Sequence, residues 1–547
     1  MRAMTMKNLI CKASLLLAAV APMAVAPTAR AAAPGITGPV FNLTAQSAYI
    51  TQPDGQAVYS WGYGCNAAPA GFAPKPKGLD LANANCNTMQ IPGPTLIVTE
   101  GDTVTVNLTN NLPTSVGNTS ILFPGFNVSV NGGVTGLLTS EAAPNGGTVQ
   151  YSFVAKTPGT RAYYSGTQGD LQVEMGLYGA VIVLPKTPPA QCTAGLPTTN
   201  PGANAAAQAN WGESDFRLAS AAYDDPHTCY DREYLFQFSE MDPRIHIEAE
   251  KQVAACAAAG APSPCNLQVP TEPYHPAYFM INGRSMPDDM DANYAPQYPH
   301  QPYNGNPHMH PGEMVLLRII GQGRWQHPFH EHANHVRILA RDGNLILSPN
   351  GNLAGPALFT TTTTPGMAMD GIFYYTGRGL NWDMYGHSPT SADGNATLPC
   401  DADANGYNTK HPAAINYFEW CQDHNKPLEA APTGDVAGNG PVTLPNPNIL
   451  TNGAWYGGSA YLGPDATKRA TGCMPSGTPQ SNSPNCASAG VTPPSGTIAN
   501  SPGGESGFAF MWHSHNEREI TTNNIFPGGM MMMMLVDSRE FVIDESN

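Results

Sequence analysis

The sequence predicts an all-β protein: tandem Greek-key β-sandwich domains, two in number, with a long loop-rich insertion in the second. Three observations predict it. Short segments alternate apolar and polar residues with the period of a half-buried strand. Glycine (56) and proline (52) are abundant among the 547 residues, a supply of turns and breakers. Only 12% of residues are charged, well below the usual quarter, which leaves little material for long amphipathic helices.

The first 31 residues read as a segment outside the fold. Arg2, Lys7 and Lys12 precede the apolar run "ASLLLAAVAPMAVA", and "ARA" ending at Ala31 offers a small-residue cleavage site. This is the pattern of an export signal. Cys11 lies before the apolar core, which makes it a poor lipid-anchor cysteine. No later stretch approaches the ~20 apolar residues of a membrane span. The expected mature protein is exported, to periplasm or exterior.

Residues 40–186 carry the first sandwich. "PTLIVTEGDTVTVNLTNNLP" is a strand-turn-strand signal around Gly101 and Asp102. "TVQYSFVAKTPGTRAYYSG" and "MGLYGAVIVLP" repeat the alternation. A Gly/Pro/Ala-rich linker follows over 187–231. The second domain, 232–542, begins at "REYLFQFSEMDPRIHIEA" and runs through "YFMINGRSM", "GEMVLLRII", "HPFHEHANHVRILARDG" and "GIFYYTGRG" to the C-terminal strands. Two interruptions read as insertions: "ACAAAGAPSPC", and the Pro/Gly/Ser/Asn-rich region 388–506. A three-domain arrangement is the alternative, but the surplus residues are too poor in periodic apolar positions for a third core.

Removing the leader leaves 21 basic against 41 acidic residues. That balance excludes nucleic acid and anionic membrane surfaces as partners. Ten cysteines remain in a compartment that favours disulfides. Neighbours in sequence pair as Cys65–Cys86, Cys192–Cys229, Cys256–Cys265, Cys400–Cys421 and Cys473–Cys486, although spacing alone leaves connectivity open. No pair has C-x-x-C spacing, so structural bridges outweigh metal ligation.

All fifteen histidines lie at or beyond position 227. Six cluster: His327, His330, His332 and His335 in "HPFHEHANH", and His513 with His515 in "WHSH". On strands, His330/His332 and His513/His515 are two same-face pairs. Together they offer four imidazoles, enough for copper or zinc. The plainer reading is solvent-facing or hydrogen-bonded core histidine; two H-x-H pairs together favour metal. His308 and His310, between prolines, read as a turn-exposed pair. His227, His246, His275, His300, His387, His411 and His424 read as surface or satisfied loop residues.

At these motifs the sequence resembles the multicopper oxidases. "IPGPTLIVTEGDTVTVNLTN" and "KTPGTRAYYSGTQGDLQVEMGLYGAVIV" look like the opening and closing strands of a first cupredoxin domain. "HPFHEHANHVRILARDG" matches the third copper motif and "WHSHNERE…GGM" the fourth. The resemblance implies cupredoxin-like domains, copper as cofactor, a small-molecule reductant for an enzyme of this kind, and, by analogy with two-domain relatives, a homo-trimer.

Such oxidases take electrons at a type 1 copper held by Cys and two His, and reduce oxygen at a cluster held by four H-x-H pairs. Here the first pair falls on Leu122, Phe123, Pro124 and Gly125, and the second on Tyr164, Ser165 and Gly166. The type 1 cysteine falls on Ser514 and its later histidine on Glu519. His327 and Met530 are the remnants of that centre. The resemblance therefore leaves a metal site of His330, His332, His513 and His515, with His327 beside them.

The run Met530 to Met534 reads as core on the closing strand, with thioether ligation of copper the weaker alternative. Three functions stay open: a copper-dependent oxidoreductase without four-electron oxygen reduction, with Glu331, Glu517 or Glu519 as acid/base or extra ligand; a non-catalytic metal-binding protein; and a structural or partner-binding scaffold. Whether the chain is an enzyme is not decided by its sequence.

Overall fold

The computed structural model describes residues 33–73, 86–193, 213, 217–260, 265–378, 384–385, 398, 400–421, 458–461 and 507–543. The leader, His387, His424, Cys473, Cys486 and most of the insertion lie outside the described residues.

Strands dominate, and they form two sandwiches. In the first, a five-stranded sheet contains Val40–Thr51, Ala57–Cys65, Thr103–Asn110, Gly147–Val154 and Ser129–Gly132. Its partner sheet is built around Leu96–Thr99, Gly159–Tyr164 and Tyr178–Leu184. The alternation in "TVTVNLTN" is realised as predicted: Val104, Val106 and Leu108 enter the core while the intervening residues lie toward its surface. Gly101 holds the turn at φ 88°, where a side chain would be strained. Trp61, Tyr63, Tyr151, Phe153 and Tyr163 fill the space between the sheets.

The second sandwich pairs one sheet containing Arg232–Met241, Met314–Gly321, Val336–Arg341 and Ala368–Tyr374 with another containing His327–Glu331, Thr360–Thr363, Gly507–Ser514 and Met531–Asp537. Phe236, Phe329, Trp512, Met530, Met532 and Met534 form its core. The methionine run is therefore packing on the closing strand, as its position suggests. Two further clusters fasten the sandwiches together. One joins Ile97, Ala180 and Ile182 to Leu235, Ile320 and Ala368; the other joins Ile50, Ile91 and Tyr178 to Met241, Tyr278 and Met280.

The sequence reading missed a helix. Residues read as a β-rich start and a loop insertion form Pro243–Ala259, capped by Asp242, whose side chain accepts from Arg244 N. Asp followed by Pro at the first helical position, ahead of an alanine-rich run, is a helix-start signal. Its buried face, Ile245, His246 and Ala249, packs on the first sandwich, so His246 is a core residue and not a loop histidine.

Four of the expected disulfides are present: Cys65–Cys86, Cys192–Cys229, Cys256–Cys265 and Cys400–Cys421. The fifth expected pair lies outside the described residues. The linker is more than a tether, since Ala221, Ala222 and Tyr223 are buried, and Tyr223 donates to Asp370 at 2.5 Å.

Candidate metal centre

Two adjacent antiparallel strands carry the histidines. In register, Phe329 faces Ser514, His330 faces His513 and Glu331 faces Trp512. Side chains alternate across a strand, so His330 and His513 share one face while Glu331 and Trp512 point into the core. Glu331 and Trp512 are fully buried. Trp512 packs against Phe373 at 4.9 Å and donates Nε1 to the His332 carbonyl at 3.1 Å, which ties that residue to the strand opposite.

The four imidazoles gather at the strand ends. Ring centroids lie 4.7 Å apart for His330 and His515, 5.1 Å for His330 and His332, and 5.6 Å for His330 and His513. His332 and His513 bring their Nε2 atoms to 3.1 Å. Two nitrogens bound to one ion at about 2.0–2.1 Å stand about 2.9–3.4 Å apart, so this pair fits a shared ion. His513 Nδ1 lies 2.7 Å from the Ser514 carbonyl, which can only accept. Nδ1 is therefore the protonated nitrogen, and Nε2 presents its lone pair. His330 is anchored through Nδ1 by Thr360 Oγ1 at 2.6 Å.

Burial, reinforced by the neighbouring imidazoles His332, His515 and His513, pushes His330 down to about 4. Burial likewise lowers His513. Both are held neutral near pH 7, the state that binds metal. His515 is exposed, so one side of the cluster is open to solvent. Among the described residues, the group of three metal-binding side chains whose ligand atoms approach within 4.8 Å of one another is a different one, Glu213, His310 and Glu313. The four histidines form a looser group, closest at the His332–His513 pair.

His327 does not join them. Its Nδ1 stands 2.9 Å from Glu519 Oε2 and its Nε2 2.8 Å from Glu240 Oε2, all shielded from solvent. Neither ring nitrogen is left for an ion, which corrects its expected place beside the metal. Ser514 donates its hydroxyl to the same Glu519 oxygen. Met530 is fully buried in the apolar core. The expected acid/base candidates divide: Glu331 is buried against Thr361 and raised by that burial well above the usual carboxylate range, Glu519 is committed to His327 and Ser514, and Glu517 is exposed.

The histidine-free positions of the first sandwich also meet. Leu122 and Tyr164 form a backbone bridge, with Leu122 N donating to Tyr164 O at 2.8 Å. Together with Ser165, Gly166, Gln322 and Gly366 they line a cavity of about 340 Å³ between the sandwiches. Among the described residues its lining contains no imidazole, carboxylate or thiol.

The pair expected to be turn-exposed is inside the protein. His310 is buried, with Nε2 2.6 Å from Glu213 Oε1 and Nδ1 2.9 Å from the Asp537 carbonyl, while His308 contacts Asp537 Oδ2 at 2.7 Å. Arg232 already supplies a cation there, 2.6 Å from Glu213 and 2.5 Å from Glu313. Glu213, His310 and Glu313 are thus bonded to one another and to Arg232. The partners come from the linker and the C-terminus, which no local reading of "NPHMHPGE" could find.

The two sandwiches, with histidine pairs at the strand ends of the second, define a cupredoxin-type protein. Residues 81–188 match the family model of the multicopper oxidases. No curated protein matches significantly. Among solved structures, a blue copper oxidase from Nitrosomonas europaea aligns at 14% identity over 91% of this chain and 85% of its own, with a TM-score of 0.41. A copper nitrite reductase from the same organism aligns at 17% identity over 62% and 85%, TM-score 0.35. A laccase from Botrytis aclada aligns at 19% over 62% and 47%, TM-score 0.35. At such scores these likenesses carry nothing to the site. No helix among the described residues is long and apolar enough to cross a membrane.

Proposed function

We propose that this chain is an exported copper-binding member of the multicopper oxidase family that holds its metal through His330, His332, His513 and His515. The observation that carries the reading is the 3.1 Å approach of His332 Nε2 to His513 Nε2, with His513 oriented by the Ser514 carbonyl. The family match supports copper over zinc. Bound there, copper would supply one-electron redox chemistry. The chain's own part is to keep His330 and His513 neutral, to hold their rings against Thr360 and Ser514, and to leave the His515 side open to a small-molecule partner.

The usual four-electron reduction of oxygen is not part of this reading. Leu122, Tyr164, Ser165 and Gly166 offer no imidazole, and Ser514 and Glu519 cannot form a thiolate-copper centre. The export leader and a trimeric assembly belong to the same proposal.

The experiment is metal analysis and electron paramagnetic resonance of the copper-loaded mature protein beside a His513→Ala/His515→Ala variant. Stoichiometric copper with a nitrogen-rich, non-blue signal, lost in the variant, is the expected result. A folded protein that takes up no copper would refute it.

A further inference from the structure

A buried polar chain runs beside the histidines without offering an ion a ligand. His327 stands at its centre, with a carboxylate oxygen on each ring nitrogen, at 2.9 Å from Glu519 and 2.8 Å from Glu240. Carboxylates accept, so both contacts are satisfied only when both nitrogens carry protons. The outer oxygens already have donors. Glu240 Oε1 accepts from Arg324 N at 2.6 Å and Trp325 N at 2.9 Å, and Glu519 Oε1 from Asn516 Nδ2 at 2.9 Å. Tyr274 Oη lies 2.7 Å from Glu174 and 3.3 Å from Glu240. The chain therefore begins in the first sandwich, at Glu174, and crosses into the second.

We propose that Glu240, His327 and Glu519 are positioning residues: a carboxylate–imidazolium–carboxylate clamp that fixes the two histidine-bearing strands against each other. The three come from different elements. Glu240 sits on Arg232–Met241 in the facing sheet, His327 opens the strand that presents His330, and Glu519 lies in the loop leaving the strand of His513. The Ser514 side chain donates to Glu519, and the Ser514 carbonyl accepts from His513 Nδ1. A line of contacts thus runs from the clamp to the ring whose Nε2 meets His332. Glu519 N also bonds Asn516 O at 2.8 Å, and Met530 N bonds Glu519 O at 2.8 Å, which staples the loop to the closing strand. A buried charge that loses one partner is strongly destabilised, so the clamp tolerates little displacement.

The functional meaning of the clamp rests on the copper-site reading, but its existence does not. The test is nuclear magnetic resonance of the full mature chain, metal-free and with 15N-labelled histidine at pH 7.5, using His327→Gln to assign the His327 signal. Both His327 nitrogens should be protonated, and the His332 and His513 ring protons should show mutual contacts. Glu519→Gln should remove the second His327 proton, weaken those contacts and lower copper(II) affinity about tenfold or more. Glu248→Gln, which changes a carboxylate paired with Lys251 on the helix Pro243–Ala259, should do none of these. Ser514→Ala tests the same line of contacts if Glu519→Gln folds poorly, and should weaken the ring contacts with His327 still doubly protonated. A singly protonated His327 in the wild type would overturn the clamp. So would unchanged ring contacts in both Glu519→Gln and Ser514→Ala. A wild-type protein without copper affinity would remove the metal-site reading, and the protonation and ring signals would still decide the clamp.

Discussion

His332 and His513 sit on neighbouring chain segments and turn their Nε2 atoms to within 3.1 Å of each other, while each is held from behind by a backbone contact. The Trp512 indole holds the His332 carbonyl, and the Ser514 carbonyl holds His513 Nδ1. Both residues are thus held in place by backbone contacts.

His332→Ala should therefore weaken copper(II) binding by about 100-fold or more, since even residues that merely support a metal ligand are worth about 10–100-fold. Competition against a chromophoric chelator measures it. A loss below threefold would place the metal elsewhere.

Trp512→Phe keeps most of the aromatic packing but removes the donor to the His332 carbonyl. Chemical denaturation should register a cost of about 1–3 kcal/mol from the unpaired carbonyl and the smaller ring. Copper affinity should fall with it, because His332 loses its backbone anchor.

Ser514→Cys by itself should give no intense thiolate-to-copper absorption. His327 remains bound to two carboxylates, and position 519 supplies no imidazole. Ser514→Cys combined with Glu519→His frees His327 Nδ1 and adds the missing ring, so the double variant should gain a visible band with copper(II). A strongly blue single variant would contradict the account of His327.

Alkali should destabilise the fold. Burial raises Glu174 to about 8, and for His327 the two carboxylates outweigh burial to raise it to about 9. Both folded values lie above the unfolded ones, near 4.3 for Glu and 6.5 for His. Their stabilising contributions are therefore complete below those unfolded values and vanish as pH rises through about 8 and about 9. Urea unfolding compared at pH 6, 8 and 9.5 should show a progressive loss on the order of a few kcal/mol. Glu174→Gln should flatten the earlier part of that loss and leave the later part.

The legible features were those fixed by short-range pattern. The period-2 alternation marked Thr103–Asn110 and its neighbours as strands, and the two H-x-H pairs announced rings on one face, which the His330–His513 register brings side by side. Nearest-neighbour pairing anticipated the described disulfides because each closes a local excursion. What escaped was set by partners far along the chain. His327 looks like a ligand until Glu240, 87 residues away, is found against it. His310 looks exposed until Glu213 arrives from the linker and the Asp537 carbonyl from near the C-terminus. The helix Pro243–Ala259 was a different kind of miss: its capping signal was present in "MDPR" and was outweighed by the β-rich text before it.

That helix belongs to the second half of the chain yet supplies Ile245 and Ala249 to the first core, where Leu267 and Tyr274 from the segment beyond it join them. The two sandwiches are therefore not interchangeable modules. A gene cut at the linker would produce a first half missing one wall of its own interior, and a second half carrying an orphaned apolar helix. Recombination, domain grafting and limited proteolysis all meet the same obstacle: the seam in the sequence and the seam in the solid object lie in different places.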